Sequence, residues 1–224
     1  IAGNVDPEKV IEIADKILKP TDKEIPKTIF PEEPFKVLKE RAEQSFEVSM
    51  PMFQLGFKED AKERLSAKQL AETEILLHVL ASKSSPLYNK LLNENLINET
   101  FGYEYFEGPG YASVIFSGDS SDPDKVAEII KQAIQELHQN KISEEDFLRS
   151  KKAIYGRNIS ILNNADTIAN IFLNLHFAHR ELFSYFDSIA NATLEDIKKR
   201  LDEQLFVDNS SISIIWPTKK EENK

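Results

Sequence analysis

The fold class is decided by the stretch Phe101-Gly-Tyr-Glu-Tyr-Phe-Glu-Gly-Pro-Gly-Tyr-Ala-Ser-Val-Ile-Phe-Ser117. Its two flanks, 101–107 and 111–117, are rich in aromatic and β-branched residues, which favour β-strands. Gly108-Pro109-Gly110 between them is typical of a hairpin turn. Strands joined by a short turn run antiparallel, so the chain is predicted to be α+β and not an alternating βαβ protein.

Helix-start signals lie on both sides of this hairpin. Upstream, Ser66-x-x-Gln69 forms a capping box, and Ser84-Ser-Pro86 begins a shorter helix. Downstream, Asp122-Pro123 pairs an N-cap residue with a proline at the first helical position. Ser143 with Asp146 caps another long helix. The hairpin is therefore expected to sit among several helices.

The remaining elements follow from hydrophobic periodicity. Apolar spacing predicts helices around 168–177, 182–189 and 194–205, and then a closing strand over 211–216. Alternation from Gln44 to Phe57 predicts one strand whose facing changes near Pro51, at a bulge or a sheet edge.

The N-terminal region differs from the rest of the chain. Asp6-Pro7 predicts a helix that stops before Pro20. Prolines at 20, 26, 31 and 34 then indicate an extended linker. The predicted units are residues 1–19, a linker over 20–43, a domain over 44–217 and a disordered tail over 218–224. Because the chain opens on what resembles a strand end, we expect further chain upstream.

Composition excludes several function classes. The net charge of −10 argues against nucleic acid or an anionic membrane as a partner, since both require clustered Lys and Arg. The absence of cysteine excludes disulfides and thiolate chemistry. No apolar run approaches the length of about 20 residues that a membrane span needs. We expect a cytoplasmic protein.

No residue pattern predicts a catalytic or metal site. His176 and His179 have a spacing that places both rings near one helix face, but zinc pairs on helices generally use the longer i, i+4 spacing. They are interpreted as a polar pair at a helix end, and His78 as a hydrogen-bonded core histidine. Acidic clusters such as Glu144-Glu145-Asp146 fall where helix dipoles attract acids. Catalytic and metal-binding residues are therefore predicted to be absent.

Eight segments, taken in order, resemble the second half of bacterial processing-peptidase-like members of the pitrilysin (insulinase-type, inverzincin) family. They are Gly3-Asn-Val-Asp-Pro-Glu-Lys-Val10, Pro51-Met-Phe-Gln-Leu-Gly-Phe-Lys58, Lys83-Ser-Ser-Pro-Leu-Tyr-Asn-Lys-Leu91, Phe101-Gly-Tyr-Glu-Tyr105, Phe116-Ser-Gly-Asp-Ser-Ser-Asp-Pro123, Ser143-Glu-Glu-Asp-Phe147, Lys151-Lys-Ala-Ile-Tyr-Gly156 and Leu162-Asn-Asn-Ala-Asp-Thr-Ile-Ala169. The resemblance covers nearly the whole chain.

The resemblance implies one half of a clamshell zinc peptidase, with a mixed, largely antiparallel sheet covered by helices. Residues 1–19 would be the tail of the preceding homologous half, which carries the zinc motif His-x-x-Glu-His. That motif does not occur in this sequence. The implied function is a non-catalytic half that encloses peptides or small unfolded proteins. The alternative is an inactive binding or scaffold subunit that pairs with a separate zinc-bearing chain.

One departure from the family pattern concerns catalysis. Many members carry an Arg and a Tyr in the stretch that matches Leu92–Asn98, and this chain has neither. Tyr103 and Tyr105 are candidates to face the substrate cavity in their place. The alternative is that Phe101, Tyr103 and Tyr105 form an aromatic stripe of the core. A dimer is also expected, because a half-clamshell exposes apolar surface.

Overall fold

The computed structural model describes residues 1–24, 26–60, 62–140 and 142–218. Its helices are α1 Pro7–Ile17, α2 Ala67–Ala81, α3 Pro86–Asn93, α4 Pro123–Asn140, α5 Glu144–Ile161, α6 Ala165–Phe177, α7 Leu182–Asn191 and α8 Leu194–Glu203, with a short 3-10 helix at Val207–Asn209. The predicted tail lies outside the described residues from position 219 onward.

Side-chain caps start the helices where the sequence predicts. The Asp6 carboxylate accepts hydrogen bonds from two backbone N–H groups in the first turn of α1. Ser66 and Gln69 form a reciprocal capping box at α2. The Asp122 carboxylate accepts from the backbone N–H of Lys125 at 3.0 Å, at the start of α4. Each cap satisfies backbone donors that a helix end leaves without intrahelical partners, so these starts are fixed locally.

The strands form one five-stranded sheet in the order β1-β5-β2-β4-β3. They are β1 Arg41–Phe46, β2 Met52–Glu59, β3 Gly102–Gly108, β4 Tyr111–Asp119 and β5 Ser210–Pro217. The β1–β5 pair is parallel, whereas β5–β2, β2–β4 and β4–β3 are antiparallel. This confirms the predicted α+β class with a mixed, largely antiparallel sheet.

The prediction of one strand over residues 44–57 is wrong. The structure has two strands, and Pro51, which has no N–H to donate to a ladder, lies in the segment between them. β1 pairs with β5 from the far end of the chain, and β2 pairs with β5 and β4. β1 also begins at Arg41, so residues 41–43 belong to the sheet although the sequence placed them in the linker.

The core lies between one face of the sheet and a layer of helices built around α2. Phe53, Leu55 and Phe57 of β2 are buried against this layer. α2 contacts α5, α7 and α8 and also touches β3, while α4 contacts β2. Helices α2 to α8 therefore cover one side of the sheet, and its other side remains exposed.

Candidate functional site

The second side of the sheet is the candidate functional surface. Strand residues alternate between faces, so the neighbours of the buried core residues point the opposite way. We call this surface the open face; it comprises Ala42, Gln44, Phe46, Met52, Gln54, Gly56, Lys58, Gly102, Glu104, Phe106, Tyr111, Ser113, Ile115, Ser117, Asp119, Ser211, Ser213 and Ile215. These residues are exposed or half-buried, even those on the central strands.

Strand pairing aligns small and uncharged side chains in a row across the open face. Gln54 lies opposite both Ser213 and Ser117, which in turn pair with Ala42 and Gly102. Five adjacent strands at their usual spacing make this row about 19 Å long. The row has hydroxyl and amide groups that can donate and accept hydrogen bonds.

A depression follows this row. Its volume is about 560 Å³, and its walls include Gln44, Met52, Gln54, Ser213 and Ile215. The apolar side chains Met52 and Ile215 flank the polar row, and Phe106 is half exposed farther along the face. Apolar side chains that lie together beside a polar row suit contact with another chain.

Tyr103 and Tyr105 do not lie on the open face. They alternate with Gly102 and Glu104, so they point towards the helices and pack against the core. The Tyr103 ring lies 6.4 Å from the buried Phe116 ring. Burial raises the pKa of both hydroxyls, and the carboxylates of Glu59 and Glu107 raise that of Tyr105 further. This placement agrees with the core stripe that the sequence offered as the alternative.

The two histidines at the end of α6 do not share a helix face. The helix ends at Phe177, and His179 adopts a positive φ of 56° beyond it. The backbone N–H of Arg180 then returns to the Leu175 carbonyl oxygen at 2.7 Å, which closes the helix end. The i, i+3 prediction is wrong for His176 and His179, because the spacing rule holds only inside a continuous helix.

His78 is also not the hydrogen-bonded core histidine that the sequence predicted. Its Nδ1 atom is buried and has no hydrogen-bond partner among the described residues. The pKa of His78 is lowered below about 6.5, mainly because the side chain is buried and to a smaller extent because Arg157 and Arg149 are positively charged.

The pKa of His78 leads to a testable pH dependence. Since the folded-state pKa lies below the unfolded value, the unfolded chain binds the proton more readily, and stability is lost as pH falls below about 6.5. We expect the protein to lose more stability between about pH 7.5 and pH 5.5 than a His78→Gln variant does. NMR titration measures the pKa of His78, and urea unfolding at each pH measures the stability. His176→Gln is the control, because His176 is exposed. A His78 pKa above 6.5 would contradict this assignment.

The described residues do not fit a zinc ion. Among them, no group of three or more His, Asp or Glu side chains lies close enough together to hold a metal, and the sequence has no cysteine. No helix in the described part of the chain is long and apolar enough to cross a membrane. What this arrangement offers is a surface for contact with another chain.

Residues 1–154 match the family model described as the peptidase M16 inactive domain. The chain belongs to this M16 family. It is 29% identical to the uncharacterized zinc protease YmfH of Bacillus subtilis (strain 168), over 97% of this chain and 52% of that protein. The match confirms the relationship to a zinc-peptidase family that the sequence resemblance indicated.

Solved structures agree with this assignment. An M16-like peptidase from Alicyclobacillus acidocaldarius superimposes with a TM-score of 0.86 at 26% identity, over 96% of this chain and 53% of that one. A protease from Helicobacter pylori shares the fold, with a TM-score of 0.81 at 19% identity, over 96% of this chain and 54% of that one. The M16 domain described here thus spans about half the length of these relatives.

The stretch Leu92–Asn98 of this M16 domain lies where α3 ends. Asn95 has a φ of 55°, and Leu96 and Ile97 turn into the core. The Asn98 side chain is engaged by Thr100, whose backbone N–H donates to it at 2.8 Å. The stretch contains neither the Arg nor the Tyr of the family pattern.

Sequence reasoning missed the open face of the M16 domain. The signal was present in β2, where Gln54, Gly56 and Lys58 alternate with buried aromatic and aliphatic residues. This signal was incomplete, because β1 and β5 also form part of the open face. Their pairing joins residues at opposite ends of the domain, which the sequence does not reveal.

Proposed function

We propose that this chain is the non-catalytic, substrate-enclosing half of a zinc-dependent endopeptidase that acts on peptides or small unfolded proteins. Its open face forms one wall of the chamber, and a zinc-bearing half forms the other. The supporting facts are its membership of the M16 inactive-domain family and its coverage of 52% of a relative named as a zinc protease.

The observation that carries the proposal is the open face itself. A sheet buried on one side only, with a row of small polar side chains on the other, suits a partner that approaches as extended chain. Ser117, Gln54 and Ser213 offer hydrogen bonds without regard to side-chain identity, and Met52 and Ile215 offer apolar contact. Such a wall holds many peptide sequences, as an enclosing half must.

The exposed apolar residues of helix α1 support the proposal of a separate zinc-bearing half. Ile11, Ile13 and Ile17 are all more than half exposed, and α1 has no buried residue. The start of α1, Asp-Pro-Glu-Lys-Val, repeats that of α4, Asp-Pro-Asp-Lys-Val, and the α4 residues that match Ile11 and Ile13 are buried in the core. The apolar side of α1 therefore belongs against another unit, the preceding half. The same surface favours dimers of the chain when that half is absent.

The test compares peptide hydrolysis by the zinc-bearing half alone and by the same half joined to this chain. We expect hydrolysis of an unstructured peptide to require both, and a tightly folded protein to resist cleavage. Equal hydrolysis with and without this chain would contradict the proposal that this chain encloses the substrate. Pairing without any gain in hydrolysis would favour the scaffold subunit, which the missing Arg and Tyr in Leu92–Asn98 also favour.

A bulky side chain on the open face should impair the joined enzyme without unfolding it. Gly56 lies in the middle of the face, and a Cβ there meets only the Ser211 carbonyl oxygen, at 4.0 Å. Gly56→Trp would cover the polar row and remove at least two substrate hydrogen bonds, so kcat/KM should fall about tenfold or more. The control is Gln135→Trp on the exposed side of α4. Equal kinetics of the two variants would show that substrate does not reach this face.

A further inference from the structure

A second cavity, open to solvent on one side, lies among the helices and away from the open face. It is walled by α2, α5, α6 and α7 and has a volume of about 310 Å³. Ile161, Ile171, Leu175 and Phe186 are among its apolar walls. Small-molecule pockets generally start at about 300 Å³, with apolar walls and a few polar groups, so the size and lining suit a small ligand.

One end of this cavity is polar. Glu74, Asn158 and Tyr185 all contribute to the lining. Tyr185 is only 6% exposed. The Glu74 carboxylate and the Asn158 side chain lie beside its hydroxyl, but neither forms a hydrogen bond of good geometry with it. The Asn158 amide donates to the Ile154 carbonyl oxygen at 2.9 Å, which leaves its own oxygen free to accept. A buried hydroxyl without a partner costs about 1–3 kcal/mol, so a group that bonds to it is favoured.

The charges near the polar end balance. Arg157 donates to the Glu74 carboxylate at 2.9 Å, and the pair as a whole is neutral. An anionic head group would meet the Glu74 carboxylate, and a cationic one would meet the guanidinium. Because burying either ion without a free partner is costly, a neutral head group is preferred. Burial and the Glu74 carboxylate raise the pKa of Tyr185, so its hydroxyl keeps its proton and can donate.

We propose that this cavity binds an uncharged, mainly aliphatic small molecule that carries one hydroxyl or carbonyl group. The aliphatic part lies against α5, α6 and α7, and the polar group bonds to the Tyr185 hydroxyl and the Asn158 amide oxygen. α6 forms one wall of the cavity although it has no buried residue of its own. A ligand in the cavity would therefore also stabilise the packing of α6. The role is independent of peptide enclosure at the open face.

The test titrates 1-octanol into the 224-residue chain and follows the NMR signals of the isoleucine and leucine methyl groups. Saturable shifts at Ile161, Ile171 and Leu175 are expected. Tyr185→Phe keeps the ring and removes the hydroxyl, so binding should weaken about 3- to 10-fold. Tyr155→Phe, which removes an exposed hydroxyl on α5, is the matched control and should bind as the unmodified chain does.

Two further arms make the test decisive. Ile171→Trp fills the cavity and should abolish binding, whereas Phe172→Trp, at the adjacent half-exposed position on α6, should not. Octanoate should bind more weakly than 1-octanol. The proposal is overturned by shifts that never saturate, by equal binding to the Tyr185→Phe chain, or by tighter binding of octanoate.

Discussion

Replacing Arg200 by alanine is expected to lower the free energy of unfolding by about 3–5 kcal/mol, because it leaves a buried carboxylate without its partner. Arg200 on α8 is 2% exposed, and Glu59 at the end of β2 is 6% exposed. The guanidinium donates to Glu59 and, at 2.8 Å, to the Thr73 hydroxyl of α2. One side chain thus ties α8 to the sheet and to the central helix.

The Glu59 carboxylate has a second donor, the Gln204 amide at 2.8 Å. This bond remains in the Arg200→Ala protein but does not neutralise the charge. Urea unfolding measures the loss, with Lys199→Ala on the same helix as the control, since the Lys199 side chain is 78% exposed. We expect the control to change stability by less than about 0.5 kcal/mol. A loss below about 1 kcal/mol for Arg200→Ala would mean that water reaches Glu59.

A companion variant separates the charge from the packing. Arg200→Met combined with Glu59→Leu removes both ions and keeps most of the side-chain volume. This pair should recover most of the lost stability, since buried ion pairs are often replaced by apolar residues at little cost. Failure to recover would show that the hydrogen bonds to Thr73 and Gln204 hold the network together.

Phe116→Ala should also cost about 3–5 kcal/mol, because it opens a cavity in the sheet side of the core. The Phe116 side chain is fully buried in β4. Its ring meets the Phe57 ring edge-on, with centroids 5.8 Å apart, and it also contacts Tyr103. Denaturant unfolding of the isolated chain measures the effect.

Phe106→Ala is the matched control, since Phe106 lies in the same hairpin but is half exposed on the open face. In the isolated chain its loss should cost less than about 1 kcal/mol. If the open face meets a second half, the cost should rise when that half is joined. Similar losses for Phe106→Ala and Phe116→Ala in the isolated chain would refute the assignment of the two faces.

Elements that depend on a few neighbouring residues were predictable from the sequence. Asp6, Ser66, Asp122 and Ser143 mark helix starts because each side chain bonds to backbone N–H groups within its own first turn. The Gly108–Gly110 turn likewise determines its hairpin, since it joins strands that are adjacent in sequence. Family membership was also visible, because the ordered motifs cover the chain.

Elements that depend on distant residues were not predictable. The sequence alone determined the element types, the helix starts, the α+β class and the lack of a zinc motif. Only the tertiary structure decided that β1 pairs with β5, which face of the sheet stays open, and that Glu59 meets Arg200. The reason is that caps and turns act over a few residues, whereas strand pairing and buried ion pairs join residues far apart in the chain, whose partners only the folded core selects.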